Sequence, residues 1–115
     1  MSRRRKKNYI PPWLSARLDD FEKRFIQVGD TLLFNRTFQS LKANTKHLYF
    51  CMAMESAGHR EFKFTLHTAK KYGFSPSTFR RCVKELVDNR FIEYQSGANT
   101  RTANRYRFTF EWKLR

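Results

Sequence analysis

The sequence predicts an α+β domain, a helical core followed by a C-terminal β-hairpin, and three observations carry that prediction. Residues 74–92 read as an amphipathic helix with a marked start. Ser75 stands at the N-cap, Pro76 follows where a proline loses no helical hydrogen bond, and Phe79, Val83 and Leu86 recur at i, i+4 and i+7 with Cys82 on the flank. Residues 105–112 carry the cleanest two-residue period: Arg105, Arg107, Thr109 and Glu111 alternate with Tyr106, Phe108, Phe110 and Trp112, which predicts a strand polar outside and aromatic inside. Residues 43–56 repeat apolar positions at helical spacing. At 115 residues with 12 Phe, the chain suits one hydrophobic core and one domain, not a disordered basic protein.

The elements follow in order. Residues 1–12 form a basic flexible arm that ends at Ile10-Pro11-Pro12. Residues 13–40 are an N-terminal extension packing on the core. In it Trp13 opens a stretch where Leu14, Leu18, Phe21 and Phe25 keep a helical rhythm, with a short helix expected over residues 13–22. Phe25-Ile26-Gln27-Val28 has strand character and stops at Gly29-Asp30; Leu32, Leu33, Phe34 and Phe38 then read as buried, on a short helical turn. Residues 41–115 are the main domain. Its first helix, 43–56, puts Leu48, Cys51, Met52 and Glu55 on one face, widened by Tyr49, and ends at Ala57-Gly58. Phe62-Lys63-Phe64 is extended. Thr65 caps a second helix over residues 66–72, with Leu66, Ala69 and Tyr72 inward, and Gly73 permits the left-handed corner into the Ser75 helix. Beyond Asn89-Arg90, residues 91–95 read as a strand, residues 96–104 as a polar loop and residues 105–112 as the second strand of a hairpin.

Charge narrows the partner. Of the formal +14, residues 3–7 hold +5 and residues 62–115 a net +8, which leaves +1 for residues 8–61. A tail and a C-terminal half this basic suit a polyanion, most commonly nucleic acid. No segment has the apolar length of a membrane span and the basic start leads into no apolar run, so neither a membrane nor a secretory signal is expected. Cys51 and Cys82 both fall in apolar helical patterns and read as buried thiols of a cytoplasmic, nucleoid-associated protein.

The chemistry of catalysis is sparse. His47 and Cys51 stand at i, i+4, a spacing that clamps a metal only with further ligands, and His59 and His67 have none at ligand spacing. Asp19-Asp20 has no partner carboxylate in sight, and no nucleophile motif or phosphate-cradling loop is present. The expectation is a protein that is not an enzyme, with no cofactor, no metal and no small-molecule ligand evident. The Ser75 helix, by contrast, turns Ser77, Arg81 and Lys84 away from its apolar face with Arg80 at the edge, a set suited to phosphate oxygens and base edges.

Helix, short strand, helix, glycine turn, helix and basic hairpin is the order of a winged helix-turn-helix domain, which residues 41–112 resemble. The resemblance is most specific over residues 62–92. There Phe64-Thr65-Leu66, Ala69-Lys70-Lys71-Tyr72-Gly73-Phe74-Ser75-Pro76-Ser77-Thr78-Phe79-Arg80-Arg81, Val83-Lys84-Glu85-Leu86 and Phe91-Ile92 are similar to small bacterial and phage helix-turn-helix proteins. Upstream, Phe25-Ile26-Gln27-Val28, Leu32-Leu33 and Leu48-Tyr49 resemble the lead-in of helix-turn-helix proteins carried on mobile genetic elements of Gram-positive bacteria. Where that family usually has a glycine before the aromatic-aliphatic pair, this chain departs from the pattern with Asn89-Arg90; asparagine tolerates the left-handed conformation, so the helix exit can survive the exchange.

The resemblance implies double-stranded DNA as the partner. In that reading the Ser75 helix enters the major groove, Arg80 or Arg81 contacts a guanine edge, and Ser77, Thr78 and Lys84 add base or phosphate contacts. Lys70 and Lys71 face phosphates. Arg101, Arg105 and Arg107 place the hairpin wing along the backbone or minor groove, and Arg3, Arg4 and Arg5 reach an adjacent minor groove. Transcription regulation is the simplest role. The alternatives are a replication initiator or accessory protein of a plasmid or phage, and a winged-helix protein-interaction or RNA-binding module. The segment from Trp13 to Phe25 either covers this domain's own core or pairs two subunits, so a homodimer is one option.

Overall fold

The computed structural model describes residues 25–95 and 105–114; the expected arm, the helix over residues 13–22 and the loop over residues 96–104 lie outside them. The described residues form α-helices and a small three-stranded antiparallel sheet, one strand lying between helices in the chain and the other two following the last α-helix. In chain order the helices are α1 (Asp30–Leu33), α2 (Arg36–Ser40), α3 (Ala43–Ser56), α4 (Leu66–Lys71) and α5 (Pro76–Asp88). The strands are β1 (Glu61–Lys63), β2 (Ile92–Tyr94) and β3 (Arg105–Phe108), and a 3₁₀ turn spans Glu111–Leu114.

α3 is the spine. Thr45, Leu48, Tyr49, Cys51, Met52 and Ser56 are all buried, on more than one side of the helix, because α5 and β1 both pack against it. It stops where expected, with Ala57 (φ 52) and Gly58 (φ 85) both left-handed. α5 buries Phe79, Cys82, Val83 and Leu86, the stripe set by its sequence spacing. Its start is capped as expected: Ser75 Oγ accepts from Thr78 N at 3.3 Å. α4 is capped by Thr65, whose Oγ1 accepts from Thr68 N at 3.1 Å, and ends in Gly73 at φ 93. Gly73 N donates to Lys70 O and Phe74 N to Ala69 O, each at 3.0 Å, so the α4 exit carbonyls are satisfied while the chain turns into α5. A Cβ on Gly73 would meet nothing within 4 Å; the backbone angle, not space, requires the glycine.

β2 and β3 form the expected hairpin, with Ile92 opposite Phe108, Glu93 opposite Arg107 and Tyr94 opposite Tyr106. β1 adds to the other side of β3, pairing Glu61 with Arg107, Phe62 with Tyr106 and Lys63 with Arg105, so the sheet order is β1-β3-β2. The inner face carries Phe62, Tyr106, Phe108 and Ile92 into a core shared with Phe38, Tyr49 and Phe91. Tyr49 sits edge-on to both Phe91 and Phe108, at ring separations of 5.5 and 5.7 Å.

Four expectations need correction. Residues 25–29 form no strand; both remaining sheet edges are left free of them, and Ile26 and Val28 instead line an apolar cleft of about 320 Å³ with Leu32, Phe50, Phe110 and Trp112. Residues 30–40 form two helical pieces broken at Phe34-Asn35. Leu32 and Phe38 are buried, but Leu33 (46% exposed) and Phe34 (72%) point away from the core. The last strand ends at Phe108, not at residue 112. Thr109 is drawn inward because its N–H and hydroxyl donate to the Phe91 and Arg90 carbonyls, which breaks the alternation and turns Phe110 out. The left-handed residue at the α5 exit is Arg90 (φ 64), not Asn89. Asn89 stays at φ −96 because its side-chain amide donates back to Glu85 O at 2.9 Å, and the next residue makes the turn.

Long-range polar ties then lock the pieces. Asn35 caps α2 through its Oδ1, which accepts from Phe38 N at 2.9 Å, and its amide donates to Trp112 O at 3.1 Å, joining the start of the described chain to its end. α3 has no cap of its own, since Lys42 stands at its N-cap; Glu85 of α5 accepts from Lys42 N at 3.3 Å and from the buried Thr45 hydroxyl.

Candidate nucleic-acid interface

The exposed side of α5 is built by the same spacing that buries the other. With 100° between residues, Ser77, Arg81, Lys84 and Asp88 fall within one narrow arc and Arg80 on its flank; all five are exposed. Thr78 is half-buried, because its hydroxyl turns back to Ser75 Oγ at 3.0 Å in the cap. Lys70 and Lys71 are exposed in the last turn of α4, a few residues before α5 begins. Cations there also favour the helix C-terminus electrostatically, so their position serves the fold as well as any ligand.

The fold sorts these cations by their partners. Among the described residues no carboxylate lies within ion-pair distance of Lys70, Lys71, Arg80, Arg81 or Arg105. Lys84 is paired with Asp88 one turn on, at 3.0 Å, but both side chains are mostly exposed and such a pair yields readily to a phosphate. Arg107 is held harder. Its guanidinium lies 2.6 Å from Glu93 and 4.0 Å from Glu61, and its Nε donates to Glu93 Oε2 at 2.8 Å, so acids flank it on both neighbouring strands. Arg90, at the α5 exit, pairs with Glu111 at 3.2 Å. Of the residues singled out from the sequence, α5 and its approach gather Lys70, Lys71, Ser77, Thr78, Arg80, Arg81 and Lys84, and the sheet holds Arg105 and Arg107. Arg3, Arg4, Arg5 and Arg101 lie outside the described residues.

Sequence reasoning passed over Lys63. It is an exposed residue in a three-residue strand, and only the β1–β3 register sets it beside Arg105. The signal was the alternation of Phe62 and Phe64 around it, which put Lys63 outward without saying what stood opposite.

The buried titratable groups carry no comparable chemistry. Burial pushes the Cys51 thiol up to about 11, with Glu55 adding to the rise, and the Tyr49 and Tyr106 hydroxyls up to about 12. A thiol raised in this way is a poor nucleophile. His47 is exposed with its ring stacked on Phe74 at 5.1 Å, while Cys51 is buried, and among the described residues no three His, Cys, Asp or Glu converge. No helix among the described residues is long and apolar enough to cross a membrane. Comparisons with known proteins find no match to this chain, whether a family model, a curated protein or a solved structure.

Proposed function

We propose that this chain is a winged helix-turn-helix protein that binds double-stranded DNA sequence-specifically, most simply as a small transcriptional regulator. The observation that carries the reading is the outer arc of α5, where Arg80, Arg81, Lys84 and Ser77 stand exposed on a helix held to the core along its opposite face. A helix ~10–12 Å across fits the ~12 Å major groove, and α5 has 13 residues, enough to present two turns to base edges. In this reading α4, the Gly73 corner and α5 are the helix-turn-helix, and β2 and β3 the wing. Arg80 and Arg81 read bases, Lys84 leaves Asp88 for a phosphate, and Lys70 and Lys71 hold the backbone beside the α5 start.

The test is selection of bound sequences from random duplex DNA near physiological salt, followed by titration of the selected site. A sharp motif is expected, with Arg80→Ala and Arg81→Ala each relaxing preference at one position by ~1–3 kcal/mol. Enrichment of no sequence, or a motif indifferent to both substitutions, refutes the reading.

A further inference from the structure

We infer that Lys63 and Arg105 together form a phosphate-binding site on the outer face of the sheet, taking one backbone phosphate of the bound duplex. This rests on the nucleic-acid reading above and adds a contact outside α5. The two residues are directly opposite in the β1–β3 ladder, and both are exposed. Like charges opposite one another destabilise a strand pair, and no carboxylate among the described residues relieves this one.

The neighbouring row makes the arrangement informative. Two residues along β3 on the same face, Arg107 is opposite Glu61 on one side and Glu93 on the other, an acid–base–acid row across three strands. The next row reads Lys63, Arg105 and Gln95, the last joined to it by Gln95 N donating to Arg105 O at 3.1 Å. Gln95 turns its side-chain amide to Glu61 at 3.3 Å, not to Arg105. One row thus neutralises its arginine, and the adjoining row sets two cations side by side with no acid from the described residues against either. Opposite residues carry Cβ atoms ~5 Å apart, within reach of a single phosphate for side chains this long. A bound dianion or diester removes the repulsion that the free protein bears.

The experiment compares Lys63→Gln, Lys63→Glu and Lys113→Gln in the full chain, each titrated with the selected duplex across a salt series and each melted without DNA. Lys113 is an exposed cation on the 3₁₀ turn and controls for lost net charge. Lys63→Gln should weaken binding several-fold and make the slope of log K against log salt shallower by about 0.9, one phosphate contact. It should melt no lower than the parent. Lys63→Glu should bind more weakly still and melt higher, because it sets an acid opposite Arg105. Lys113→Gln should change the slope little. Loss of binding no greater for Lys63→Gln than for Lys113→Gln overturns the site while leaving the α5 reading intact. A parent chain that binds no duplex at any salt overturns both.

Discussion

Glu85→Ala should loosen the joint between α5 and α3 by about 2–3 kcal/mol, a large share of the stability of a domain this size. The magnitude follows from what the carboxylate touches. α3 lacks a side-chain cap, and Glu85 reaches from α5 to accept from Lys42 N at 3.3 Å and from the hydroxyl of Thr45, which is fully buried. Truncation leaves a buried hydroxyl without its acceptor, worth ~1–3 kcal/mol, and removes a negative charge from a helix N-terminus, worth ~0.3–1 kcal/mol. Glu85→Gln keeps an acceptor oxygen and loses only the charge, so about 1 kcal/mol is expected. Thr45→Val removes the donor and preserves the volume; with no unpaired hydroxyl left behind, the Thr45→Val/Glu85→Ala double variant should lose at least 1 kcal/mol less than the sum of its parts. Urea unfolding monitored by circular dichroism measures all four. A Glu85→Ala variant within 0.5 kcal/mol of the parent, or strict additivity in the cycle, refutes the claim that α5 caps α3. Glu85 also ties α5, which carries Arg80 and Arg81, to the start of α3; under the proposed function, DNA affinity should fall more for Glu85→Ala than for Glu85→Gln.

Two further outcomes test the fold. Ala57→Gly should stabilise by ~0.5–1 kcal/mol in the same assay, since Ala57 sits exposed at φ 52, where glycine escapes the left-handed penalty. The same exchange at Arg90 (φ 64) should gain less, because it gives up the Glu111 pair. Alkaline pH should unfold the protein cooperatively. Cys51 rises from 9.0 to about 11 on folding, and Tyr49 and Tyr106 from 10.0 to about 12, so the unfolded chain ionises first. Stability is therefore full below about pH 9 and declines up to about pH 12, by on the order of 2 kcal/mol for each of the two buried tyrosines. A flat stability profile between pH 9 and 11 contradicts that burial.

What could be read from the sequence was local, and what escaped it was relational. Ser75, Pro76 and the Phe79–Val83–Leu86 spacing defined α5 because capping and helical period act within a turn or two of chain. Thr65, Gly73 and Ala57-Gly58 were legible for the same reason. The Arg105–Phe108 alternation revealed a strand, but its end depended on Thr109 bonding to the exit of α5, a contact between residues 19 apart. The pairing of β1 with β3 depended on closing more than 40 residues of chain, and no pattern within three residues of β1 specifies a partner. Charge shows the difference most sharply. Counting lysines and arginines treats Arg105 and Arg107 as equals, two residues apart on one strand face. The sheet register places acids on both sides of Arg107 and a lysine beside Arg105. A basic sequence therefore counts cations, while the fold decides which of them stand beside an acid and which stand beside one another.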